Sequence, residues 1–180
     1  MAGRRRPPLP TTGWSSVASY AGRVPVVVEV VTVIAAPPAV VFDLELDVDV
    51  HTASLARSGE TATTSTGRRR LHLGDEVTLH ARHLGLRWRM TSRITAHERP
   101  HRFVDEQIRG PFRALHHEHL FEDLGTRGTR MTDRMSITAP AGALGEVAAH
   151  LVLAPYLRRL LRHRATHVGQ AAEAGRRPLA

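Results

Sequence analysis

The spacing of apolar residues along this chain changes once, at Pro140, and that change limits the fold more than any other feature. Before it, Leu86, Trp88, Met90, Ser92 and Ile94 alternate with Arg87, Arg89, Thr91, Arg93 and Thr95, the two-residue period of a half-buried strand with its even face inward. After it, Leu144, Val147, Ala148, Leu151, Leu157, Leu160, Leu161 and Val168 recur mostly at steps of three and four through Gly169, the stripe of one long helix. A set of strands followed by a single amphipathic helix must bury the apolar face of each against the other. Pro155 lies inside the helical stretch and predicts a kink or a split there, because its ring removes a hydrogen bond and crowds the preceding turn.

The remaining elements follow from local signals. Val26–Ile34 is dense in β-branched residues and reads as a strand. Pro37 and Pro38 suit a helix start, predicting a short helix over Pro38–Leu46 and a second near His51–Arg57. Thr61–Gly67 reads as a polar turn. From Arg68 onward short strands separated by turn signals predict an antiparallel meander, including strands at His101–Arg109, Phe112–Glu122 and Thr129–Thr138, with turns at Gly110-Pro111 and Asp123–Gly128. The class is α+β: a curved antiparallel sheet of about seven strands around a long C-terminal helix, with two short helices after the first strand. Residues 1–22, rich in Arg, Pro, Ser and Gly, read as a flexible arm, 23–170 as one folded domain, and 171–180 as a disordered tail.

Composition removes several function classes. The 180 residues include no cysteine, so disulfides, thiolate metal sites and cysteine nucleophiles are excluded. The formal charge of +8 raises nucleic acid as a partner, but all the lysine-plus-arginine content is arginine and it is spread along the chain. Aromatic residues are only 4%, leaving few rings for bases to stack on, and nucleic acid is not the expected partner. The longest apolar run, Val24–Ile34, is too short to span a bilayer. The arginines near the start are followed by prolines and not by an apolar segment, so neither a secretory nor a twin-arginine leader is expected and the cytoplasm is the expected location.

The segment Gly110–Phe121 carries the chemistry. On a strand, His117 and His119 share a face with Leu115 and Phe121, a mixture that suits the wall of a ligand pocket. Across the next turn Asp133 falls opposite His119 or His117 depending on register, and Asp105 or Gln107 on the preceding strand can complete the group. A carboxylate holding an imidazole in one tautomer is the basis of acid-base chemistry, so His117, His119 and Asp133 are the catalytic candidates. A buried polar pair tying strands together is the other reading. His51 follows the acidic run Asp43, Glu45, Asp47 and Asp49 and is a candidate at a cavity entrance, or else a cap or turn residue. Trp88, Met90, Phe103, Phe112, Leu115, Phe121, Met131 and Met135 are the candidate apolar lining, with Gln107 among the polar contacts. The i, i+2 histidines have metal-site spacing, with Asp133 or His51 as further donors, but only two ligands converge locally and no metal is expected. No cofactor is expected. Arg158, Arg159, Arg162 and Arg164 are expected to form an exposed basic helix face.

The run Val33-Ile34-Ala35-Ala36-Pro37-Pro38-Ala39-Val40-Val41-Phe42-Asp43, with Leu73-Gly74-Asp75, Arg102–Gln107, Gly110-Pro111-Phe112, His117-x-His119-x-Phe121 and Pro140 ahead of the last helix, resembles the SRPBCC superfamily, also called START or Bet v 1-like helix-grip proteins, over residues 26–170. The resemblance implies a deep hydrophobic cavity between sheet and helix. In such proteins that cavity serves lipid or hormone carriage or polyketide cyclisation, and some members dock to other proteins. For this chain it implies binding of a lipid, isoprenoid or polyketide-like molecule. An aromatase/cyclase or dehydratase using a His-Asp pair, and a protein- or ribosome-docking module of the toxin type, are the alternatives.

Overall fold

The computed structural model describes residues 25–175, apart from the side chain of Arg57. The arm expected at 1–22 and the end of the expected tail, 176–180, lie outside the described residues. The sheet has seven strands, β1 (Val26–Ile34), β2 (Thr61–Thr64), β3 (Glu76–His83), β4 (Leu86–Glu98), β5 (Arg102–Arg109), β6 (Ala114–Asp123) and β7 (Thr129–Thr138). Their antiparallel order is β1-β7-β6-β5-β4-β3-β2, so β2 to β7 form a meander and β1 returns to pair with β7. Two short helices, α1 (Pro38–Glu45) and α2 (Val48–Ser54), follow β1. After β7 come α3 (Gly142–Ala148), a π-helical turn over Ala149–Leu153, and α4 (Ala154–Ala174).

Local sequence explains each element that frames the interior. In β1, Val26, Val28 and Val30 are buried while Val27, Val31 and Val33 face out, the period of a strand covered on one side. Pro38 takes the first turn of α1, where a missing N–H costs nothing. Asp47 caps α2, its Oδ1 accepting from the N–H groups of Asp49 at 2.9 Å and Val50 at 3.3 Å. The helix α4 lies across β1, α1 and α2 and buries Leu161, Ala165, Val168 and Ala172. The β3–β4 hairpin turns on Leu84 and Gly85, both with positive φ (52° and 78°), the backbone of a two-residue type I′ connection.

Several expectations need correction. Thr61–Thr64 is a strand paired with β3 and not part of a turn; its residues are small and polar, so the alternation of exposed Thr61 and Thr63 with half-buried Ala62 and Thr64 leaves little hydrophobic signal. Residues 68–75, where the meander was expected to start, contribute to the sheet pairing only an isolated bridge from Arg70 to Asp47. Leu86 faces solvent at the hairpin end, although the rest of its alternating set points inward. Of the kink or split expected at Pro155, the structure has the split: a π-turn divides the helical stretch just before it, and Pro155 occupies the first turn of α4. The helix also runs to Ala174, beyond Gly169 and into the segment read as tail, because Ala172, at 1% exposure, continues the buried stripe one turn past Val168. Arg164 is not on an exposed basic face but is 8% exposed on that same stripe.

Candidate functional site

Two apolar clusters fill the space between sheet and helices. One centres on Phe42, Phe103, Phe121 and Met131 with Val168, and Phe42 meets Phe103 and Phe121 edge-on at 5.5 and 5.4 Å. The other joins Val26, Val28, Leu115, Met135 and Leu161. A cavity walled by residues of both remains open, with about 150 Å³ of room for the centres of water-sized spheres. One water needs roughly 10–15 Å³ by that measure, so the space accommodates a multi-atom guest. The wall is mostly apolar, including Leu46, Val77, Ile94 and Leu157.

At one side of this cavity the strand registers gather ionisable groups. His119 stands opposite Asp133 and Phe103, and His117 opposite Asp105 and Met135. Oδ1 of Asp105 lies 3.4 Å from Nδ1 of His117 and 3.4 Å from Nε2 of His119. His119 Nδ1 is 2.7 Å from Asp133 Oδ1, yet neither atom has a hydrogen-bond partner in line with it, so this is an ion contact with poor hydrogen-bond geometry. The His119 ring stacks on Phe103 at 4.1 Å and lies 3.9 Å from the His117 ring. From α1, Glu45 brings Oε2 to 3.8 Å from His119 Nδ1, and from α4 Arg164 reaches Glu45 Oε2 at 2.5 Å and the Glu45 carbonyl at 3.0 Å.

The electrostatics follow from this packing. Three carboxylates, Glu45, Asp105 and Asp133, gather around the two imidazoles and the guanidinium of Arg164. Burial alone disfavours charge on His117, but the carboxylates of Asp105 and Asp133 beside it, at 3.4 and 3.6 Å, outweigh that and raise its pKa to about 9. Burial likewise opposes ionisation of Asp105 and Asp133, yet the two histidines hold both carboxyls well below the ordinary range. At neutral pH His117 is therefore charged, and its side chain forms part of the cavity wall.

Of the residues singled out from the sequence, His51, Trp88, Met90, Phe103, Phe112, Leu115, His117 and Met135 line the cavity. Five do not. Phe121 and Met131 are packed in the core. Gln107 folds onto the Gly110-Pro111 turn, its Nε2 donating to the Phe112 carbonyl at 2.8 Å. His119 and Asp133 stand behind His117, at 0% and 1% exposure. Within this group of ionisable side chains, the imidazole-carboxylate pair that lines the cavity is thus His117–Asp105. Glu45 and Arg164 were not anticipated as members of the group, nor were Glu60, His83 and Tyr156, which also line the cavity. Three donors do converge in two combinations, Asp105–His117–His119 and Glu45–His119–Asp133, each within 4.8 Å. The expectation of no metal assumed that only two would. In the second set a cation would compete with Arg164 for Glu45. Among the described residues no helix is long and apolar enough to cross a membrane.

A bent sheet gripping a terminal helix over an apolar chamber defines a helix-grip protein. A family model described as polyketide cyclase / dehydrase and lipid transport matches residues 25–173, and the chain belongs to that family, within the SRPBCC superfamily. No curated protein matches the chain by sequence. Solved structures share the fold. The Zhui aromatase/cyclase from a Streptomyces species superposes with a TM-score of 0.71 at 19% identity, over 86% of this chain and 97% of that one. A Thermus thermophilus protein gives 0.66 at 20% identity, over 82% and 99%. A START superfamily protein from Mycobacterium smegmatis gives 0.62 at 12%, over 82% and 97%.

Proposed function

We propose that this protein binds one hydrophobic or amphipathic molecule of lipid, isoprenoid or polyketide type in the central cavity, with its oxygen end at His117. The observation that carries the reading is a mostly apolar chamber whose wall presents a histidine with a pKa raised to about 9. A charged imidazole in the wall of an apolar chamber is a strong donor for a carbonyl, enolate or carboxylate oxygen, while the apolar wall takes the carbon body. His119 and Asp133 hold His117 and Asp105 in place from behind, and Glu45 and Arg164 complete the polar side of the wall. A long-chain methyl ketone such as undecanone is expected to bind one to one by calorimetry. His117→Phe should weaken it roughly tenfold or more, the worth of a hydrogen bond to a charged group. Unchanged affinity in a folded variant would remove His117 from the binding role.

One observation favours catalysis as a second reading. His117 and Asp105 face the same space, as the acid and the base of a cyclisation or dehydration would have to, and an aromatase/cyclase shares the fold. At neutral pH His117 would act as the acid, protonating a departing hydroxyl or polarising a carbonyl, with Asp105 accepting a carbon-bound proton. Asp105's depressed pKa makes it a weak base, which is why binding is the leading reading. Turnover of a poly-β-carbonyl thioester that disappears in His117→Ala would establish the catalytic reading; tight binding without turnover would leave binding alone.

A further inference from the structure

The cavity wall carries a second group of polar side chains, away from His117, built around Glu60. This residue precedes β2, and its side chain is only 2% exposed. Glu60 Oε1 lies 2.6 Å from His51 Nε2 but out of line for a hydrogen bond, and Oε2 lies 3.9 Å from His83 Nε2. On the other side of the His83 ring, Nδ1 is 2.8 Å from the Tyr156 hydroxyl, and the His83 carbonyl accepts from Trp88 Nε1 at 2.9 Å. These contacts fix the imidazole at the end of the β3–β4 hairpin with one edge turned to Glu60.

The chemistry of that edge is specific. Burial holds the His83 pKa below its usual value, the opposing pull of Glu60 notwithstanding, so the ring is neutral at neutral pH. The carboxylate favours the single ring proton on the nearer nitrogen, Nε2, leaving Nδ1 to accept from Tyr156. A donor and an acceptor then face each other across 3.9 Å, too far for a direct hydrogen bond. One oxygen about 2.8 Å from each would close the triangle. A hydroxyl accepts from one side and donates to the other; a carbonyl or carboxylate would set a lone pair against Glu60.

Tyr156 and Arg164 mark the two polar groups along α4, eight residues and so about 12 Å apart at 1.5 Å per residue. Leu157, Leu160 and Leu161 line the cavity between them. We propose that Glu60 and His83 form a hydroxyl-binding station, and that the guest is an elongated molecule, apolar in its middle, with one oxygen function at His117 and a hydroxyl at Glu60–His83. This rests on the reading of the cavity as a ligand site.

Calorimetric titration of the full chain with undecanone and with its chain-terminal hydroxy derivative tests it. An unpaired hydroxyl in an apolar chamber is penalised, whereas a paired one gains, so the hydroxyketone is expected to bind about threefold to tenfold tighter than the ketone. In Glu60→Ala the order should reverse; if that variant does not fold, His83→Leu should reverse it. Ketone binding with a weaker hydroxyketone in the wild type would overturn the station and leave the cavity reading intact. A preference that survives in the folded variants would also overturn it. Failure of both compounds to bind would overturn the cavity reading and the station together.

Discussion

Replacing Arg164 with methionine is expected to cost the fold about 3–5 kcal/mol in urea or guanidinium unfolding, the range for breaking a buried ion pair by removing one partner. Arg164 is 8% exposed, and it meets both the carboxylate and the carbonyl of Glu45. Without it, the buried carboxylates of Glu45 and Asp133 and the half-buried one of Asp105 face two imidazoles. Methionine fills much of the same volume, so the loss reports charge and hydrogen bonding more than packing. The double variant Arg164→Met with Glu45→Gln is expected to be more stable than Arg164→Met alone, since it removes the stranded charge with its partner. A loss under about 1 kcal/mol for the single variant, the scale of an exposed pair, would contradict the buried network.

Stability should fall on the alkaline side earlier than is usual. The pKa of His117 is about 9 in the folded chain against an ordinary 6.5, so its contribution is fully present below 6.5 and is lost as pH rises through 9. That loss is on the order of 3 kcal/mol at 1.36 kcal/mol per pKa unit. Asp105 and Asp133 have depressed pKa values; they stabilise above the ordinary value of 3.8 and lose that contribution as pH falls further. His83, held low by burial, subtracts stability as pH drops below 6.5. Unfolding free energy is therefore expected to peak near pH 6 and decline toward pH 9, and His117→Gln should flatten the alkaline limb. A curve level between pH 6.5 and 9 would show that the imidazolium is not bound as described.

The sheet face holding the site was legible in the sequence because strand period and turn positions fix it. Asp133 opposite His119 was one of two registers that counting across the turn allowed, and the pairing of β6 with β7 selects it. Depth was not legible: alternation says which residues face inward, not whether they meet a void or a neighbour, so Phe121 and Met131 had the same pattern as Leu115 and Met135. Glu45 and Arg164 arrive from helices, yet both left a signal. Glu45 shares a helical face with Phe42 and Leu46, and Arg164 falls on the stripe of Leu161, Ala165 and Val168, so each is a charge at a buried position that demands a partner. Glu60 left none, since a loop residue after Ser58-Gly59 has no period to be read against. Its role emerges only when α2, β3 and α4 surround it.

Ligand binding by this protein requires that the space between sheet and helix admit one apolar guest. Ala81 lines that space opposite Trp88, and Ala81→Phe would place a ring within it. The most direct measurement is titration of wild type and Ala81→Phe with a fluorescent fatty-acid analogue, alongside urea unfolding of both. A single site is expected in the wild type and none in the variant, with stability changed by less than the roughly 1–3 kcal/mol that overpacking a filled core costs. Absence of binding to the wild type, or equal binding to both proteins, would contradict binding in this space.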